Sequence, residues 1–212
     1  VFGGAWAGRQ VGDETKQTPE STYGATKAML ELLVNDYTRK GFLDGRTARL
    51  PTVIIRPGKP NRAASSWCSA VFREPLAGEP YALPVTLETH VAVAGARTVV
   101  EGLLALHDLD GDLIGTDRAV GLPSLAVTAA QMIDSLRRVA DERRLGAITV
   151  AVDPATDALV RSWAAETSPV TADRLDLPRD DDLDSIVGQY IEDYVEAPRG
   201  SARRGAGGPP AG

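Results

Sequence analysis

Over residues 23–39, Ala28, Leu32, Leu33 and Tyr37 recur near helical spacing, and Met29, Leu30 and Val34 widen the apolar stripe they form. So broad a stripe predicts a helix buried on more than one side, and Gly41 is placed to end it. Ahead of it, Val1-Phe2-Gly3-Gly4 reads as the end of a buried strand entering a turn, with a loop over 13–20. Behind it, the segment 47–56 closes on Val53-Ile54-Ile55, the continuous apolar run of a strand covered on both faces, and Pro57-Gly58 breaks it.

The alternation continues downstream. Helices are predicted over 66–76, over 97–107 and from Thr128, which caps its own helix; short strands are predicted over 81–84, 90–94, 118–121 and 148–152. Repeated helix and strand alternation argues for an α/β protein on a parallel sheet. Asp180-Asp181-Asp182 precedes Leu183, Ile186, Val187, Tyr190 and Ile191, whose spacing makes a last amphipathic helix. The acidic run there complements the helix dipole rather than marking a metal site. From Pro198 onward the chain is too poor in apolar side chains to fold and is predicted as a disordered tail over 197–212.

Composition narrows the partners. The chain has 212 residues, enough for a sizeable core, and 29 acidic against 23 basic residues, a net charge of −6. That field gives nucleic acid and anionic membrane little reason to approach, so small metabolites are the expected partners. No apolar run is long enough to span a bilayer and nothing resembles a signal peptide. The single cysteine, Cys68, reads as a small buried thiol, and its lack of a partner suits a cytoplasmic location. His107 reads as a helix C-terminal cap; neither it nor His90 is required by the chemistry below.

That chemistry centres on Ser21-Thr-Tyr-Gly-Ala-Thr-Lys27. Residues four apart on a helix share a face, so Tyr23 and Lys27 can reach one cavity. Bringing a phenol from about 10 to about 7 takes roughly 4 kcal/mol. One cation about 4 Å away at an effective dielectric near 20 supplies that much, with burial of the phenolate opposing it. Tyr23 is then a base for a substrate alcohol. Alone, the pair reads equally as a helix-start tyrosine beside an exposed lysine.

Context adds to it. Asp13-Glu14, Thr18-Pro19, Tyr23 and Lys27, and then a β-branched strand ending Arg56-Pro57-Gly58, resemble the extended short-chain dehydrogenase/reductase family, also called the NAD-dependent epimerase/dehydratase family. Arg49-Leu-Pro-Thr-Val-Ile-Ile-Arg-Pro-Gly-Lys-Pro-Asn61, Ala64-Ser-Ser66 and Arg73-Glu-Pro-Leu-Ala-Gly78 are similar to its D-erythronate dehydrogenase branch. The resemblance implies the C-terminal part of a Rossmann-type parallel sheet with an interleaved small α+β substrate domain. It divides the chain into 1–60 and 93–123 in the dinucleotide-binding sheet, and 61–92 and 124–196 in the substrate domain. It implies NAD as cofactor, Tyr23 as proton acceptor and Lys27 on the nicotinamide ribose. Pro57 and Gly58 would border the carboxamide through their backbone, and Asn61, Ser65 and Arg73 would face a sugar acid whose carboxylate suits a guanidinium fork. Each of the last three has a plainer reading: turn residue, N-cap of the next helix and surface residue, respectively. Dimers are common in the family, although nothing in the chain fixes a homodimer.

Three departures stand out. Gly3, Gly4, Gly8 and Gly12 do not make a phosphate loop, since no full strand precedes them and no helical run follows. The family's catalytic serine or threonine is also missing, and both gaps lead us to expect the C-terminal portion of a longer enzyme that alone neither binds NAD tightly nor turns over. In addition, Ala94-Gly95-Ala96 stands where the branch usually has Ser-Pro, which unsettles the expected geometry of the second domain. Three functions stay open: oxidation of a sugar-acid secondary alcohol, nucleotide-sugar epimerisation or dehydration, and non-catalytic dinucleotide binding.

Overall fold

The computed structural model describes residues 1–59, 63–141 and 143–196. Asn61 and the predicted tail lie outside the described residues. A 3₁₀ turn (Gly4–Trp6) leads to β1 (Gln10–Gly12), α1 (Thr22–Arg39), β2 (Thr47–Arg49) and β3 (Thr52–Ile54). A second 3₁₀ turn (Ala64–Ser66) enters α2 (Trp67–Leu76), followed by β4 (Tyr81–Leu83), β5 (His90–Gly95), α3 (Ala96–Asp108) and α4 (Gly111–Ile114). Then come β6 (Ala119–Gly121), β7 (Leu125–Thr128), α5 (Ala129–Ala140), β8 (Ile148–Val150) and α6 (Pro154–Arg161). The described chain closes with β9 (Glu166–Ser168), α7 (Val170–Arg174) and α8 (Leu183–Tyr190), which runs on into a π-helical stretch, Ile191–Glu196.

The predicted α/β class is the observed one. Four strand pairs are parallel: β1 with β9, β2 with β6, β3 with β5 and β4 with β8; β7 joins β5 antiparallel. The segment predicted as one strand over 47–56 is two. Pro51 carries no N–H for a ladder, and the chain changes partners there, β2 pairing with β6 and β3 with β5. One core packs β3, β5, α2, α5 and α8 around Ile54, Phe72, Met132, Leu136 and Val187; a second, around Val99, Val120, Leu122 and Leu177, lies under α3, β6 and the α7 region. Cys68 is fully buried in the first, and burial pushes its thiol far above the ordinary range, so it is inert. Among the described residues, no helix is long and apolar enough to cross a membrane.

Several expectations are corrected. Val1 to Gly3 lie in no strand. In α1 only Gly24 and Glu31 are buried, while Met29, Leu30, Leu32, Leu33 and Tyr37 are exposed. His107 does lie in the last turn of α3, as expected, where among the described residues its ring pairs with the neighbouring Asp108 at 2.9 Å rather than with a helix-end carbonyl, and both are exposed. The acidic run serves two helices. Asp182 caps α8 by accepting from Ser185 N–H, while Asp180 accepts from Gly95 N–H (2.7 Å) and the Thr98 hydroxyl (2.6 Å) at the start of α3. Among the described residues no cluster could hold a metal ion.

Candidate active site

Helix α1 starts at Ser21, whose hydroxyl accepts from Gly24 N–H at 3.0 Å. Gly24 lets the helix approach closely, since a Cβ there would stand 3.0 Å from the Pro19 Cβ. The 3.6-residue period then brings the Lys27 ammonium to 5.4 Å from the centroid of the Tyr23 ring, so the structure joins the predicted pair. Tyr23 is 74% exposed, and neither it nor Lys27 lines any of the five best-formed cavities of the described residues. Pro57 and Gly58 are likewise exposed; Gly58 has φ +99°, and among the described residues a Cβ on it would meet nothing within 4 Å.

Ser65 and Arg73 form a separate group. Arg73 is not a surface residue: its guanidinium is largely buried, pairs with Glu74 at 2.6 Å and donates to the Arg56 carbonyl at 3.1 Å. That fork is engaged within the protein, so it is not an open grip for a ligand carboxylate. Ser65 lies in the 3₁₀ turn, where its hydroxyl stands 3.5 Å from an Arg56 guanidinium nitrogen. Among the described residues no hydrogen bond or ion pair joins this group to Tyr23 and Lys27.

The sequence reading missed the wall of a cavity of about 260 Å³ at the β2–β3 junction. Arg49, Thr52, Trp163 and Ser168 line it, together with Phe2 and Asp13. Arg49 stacks over the Phe2 ring at 5.5 Å and forms a bidentate ion pair with the buried Glu31 of α1, the shortest contact being 2.8 Å. Gln17 also donates to Glu31. Among the described residues, Nη1 of Arg49 makes one contact, 3.4 Å to the Asp13 carbonyl. The Thr52 and Ser168 hydroxyls make no hydrogen bond among the described residues. Nothing in the sequence pointed to this wall, because it joins residues from β1, the β2–β3 junction and β9, far apart in the chain; the run Arg49-Leu-Pro-Thr52, quoted above only for its resemblance, was the available signal.

No family model matches the chain. It is 42% identical to D-erythronate dehydrogenase of Cupriavidus necator over 183 residues, which is 86% of this chain and 56% of that protein. To D-erythronate dehydrogenase of Haemophilus influenzae it is 40% identical over 192 residues, covering 91% of this chain and 61% of the relative. The crystal structure of a nucleoside-diphosphate-sugar epimerase from Agrobacterium tumefaciens superposes with a TM-score of 0.86 at 35% identity, over 92% of this chain and 57% of that one. The chain thus spans somewhat more than half the length of these relatives.

Proposed function

We propose, for a chain homologous to D-erythronate dehydrogenases along most of its length and folded like a nucleoside-diphosphate-sugar epimerase, that its parent protein oxidises a secondary alcohol of a small sugar acid with NAD. The observation that carries the reading is Tyr23 beside Lys27 on one open face of α1. Tyr23 takes the proton from the substrate hydroxyl, with the Lys27 ammonium 5.4 Å from the centroid of its ring. The residues fit the nicotinamide end of the cofactor: both side chains are open to a flat ligand, and among the described residues nothing beyond its chain neighbours lies within 4 Å of the place a Cβ would take on Gly58. Lys27 would hold the ribose hydroxyls and Pro57 and Gly58 the carboxamide. NAD, when bound, supplies the acceptor for the hydride.

The 35% identity to a structure described as an epimerase supports a second reading, in which the same tyrosine serves a nucleotide-sugar epimerase with no net change of cofactor. Expression of the whole reading frame and incubation with D-erythronate and NAD separates them. Steady accumulation of NADH is expected; epimerised product without NADH would favour the rival. Tyr23→Phe should lower kcat at least about 100-fold while leaving the circular dichroism spectrum unchanged. Undiminished turnover in that variant would remove Tyr23 from the mechanism.

A further inference from the structure

Tyr23, Lys27 and Glu31 follow one another at four-residue intervals along α1, so each is the neighbour of the next across one helical turn. The Lys27 ammonium therefore has two groups within reach on its own helix, the ring behind it and the carboxylate ahead. It takes the ring: Nζ stands over Tyr23 at 5.4 Å from the centroid, and among the described residues Lys27 makes no ion pair. Glu31 is already engaged. Its Oε2 accepts from Arg49 Nη2 at 2.8 Å and from Gln17, and its Oε1 accepts from Arg49 Nε at 3.1 Å. Both partners come from outside the helix, Gln17 from the loop before it and Arg49 from β2. Glu31 is buried, and a buried carboxylate without a counter-charge is strongly unfavourable, so it holds whichever cation it can. A guanidinium fork meets both of its oxygens, which one ammonium does not, and a lysine four residues ahead of a glutamate is the weaker order of a helical pair.

We propose that Arg49 is a positioning residue for Lys27: by saturating the Glu31 carboxylate it keeps the ammonium from folding back along α1 and leaves it beside the Tyr23 ring. The purpose of that placement rests on the reading above, in which Lys27 holds the nicotinamide ribose next to Tyr23. Without Arg49, Glu31 turns to Lys27, one turn away. The Val1 α-amino group also feels the Glu31 charge, and residues placed ahead of Val1 convert it to an uncharged amide and remove that competitor.

Reductive methylation with isotope-labelled formaldehyde keeps lysines charged and gives Lys16, Lys27, Lys40 and Lys59 each a nuclear magnetic resonance signal, with Lys27→Arg identifying the one at issue. In the wild type the Lys27 signal should be displaced upfield by the Tyr23 ring, with Tyr23→Leu as the zero. Arg49→Gln should remove more than half of that displacement. Arg49→Gln combined with Glu31→Gln, which takes away the competing carboxylate and leaves no stranded charge, should restore it. Arg49→Lys, which keeps a cation and is expected to fold where glutamine does not, should show a smaller loss in the same direction. A displacement unchanged in the folded Arg49 variants, or lost and not restored in the double variant, overturns the proposal, as does a wild-type signal with no displacement. Should the signals behave as expected while the whole reading frame forms no NADH from D-erythronate and NAD, the positioning stands and the sugar-acid reading falls.

Discussion

Gly95 carries no side chain because Asp180 occupies the space. Its φ of −65° is open to any residue, so conformation is not the reason. A Cβ there would lie 2.6 Å from Asp180 Oδ1 and 3.3 Å from Ile186 Cγ1, while the carboxylate binds Gly95 N–H and the Thr98 hydroxyl. The Gly-Ala that departs from the Ser-Pro of the related branch is thus matched by a cap supplied from more than eighty residues away. Gly95→Ala should cost about 1–3 kcal/mol through overpacking, read as a lower urea midpoint at unchanged slope. Combined with Asp180→Ala it should cost less than the sum of the two single changes, since the second removes the atom the first collides with. An additive result would show that the carboxylate is not what excludes a side chain. The Tyr23–Lys27 adjacency was legible because helical geometry fixes it; the Asp180 cap was not, because no local spacing encodes it.

At the scale of elements, α1 reverses the amphipathicity its leucines suggest. The side turned inward carries Gly24, Ala28, Glu31, Asn35 and Thr38, themselves at helical spacing. Its anchors are polar: Glu31 to Arg49, Asn35 to Asp117 and to Arg118 N–H, and Thr38 to Gly45 N–H. The leucines face out. Leu33→Lys should therefore change unfolding free energy by no more than about 0.5 kcal/mol. Glu31→Gln should cost about 3–5 kcal/mol by stranding the Arg49 charge. Equal losses in the two variants, measured by denaturant unfolding, would mean that the leucine face is the packed one. Other elements followed the pattern closely: α3 and α5 were predicted within a residue or two of where they start, and Thr128 caps α5 through a full capping box. Strands β1 and β9 escaped notice because three-residue strands have no readable period, and their pairing joins residues 10–12 to 166–168.

For the whole molecule, stability falls on the acid side. Asp157, Asp184 and Asp193 are held below the ordinary carboxylate range, chiefly by hydrogen bonds from Arg161, Arg138 and Arg97 respectively. A carboxyl whose folded value lies below its unfolded value of about 3.9 stabilises the fold fully above that pH, and the contribution fades as pH drops through the folded value. The urea midpoint should thus be level from neutrality to about pH 5 and decline below about pH 4. Asp184→Asn should lower the plateau and flatten the decline. A midpoint that rises on acidification would contradict this assignment.

Periodicity along the chain was enough to establish the α/β class, most helices and the tyrosine–lysine face, because each depends on residues within a turn or two of one another. Tertiary structure alone decided which side of α1 is covered, that the strand after it breaks at Pro51 to change partners, and that Arg49, Thr52, Trp163 and Ser168 share a cavity. Those outcomes rest on contacts between separate segments, 41 residues apart where β3 meets β5, 72 where β2 meets β6 and more than a hundred across the cavity, and a chain's local spacing carries no information about which other segment will supply the partner.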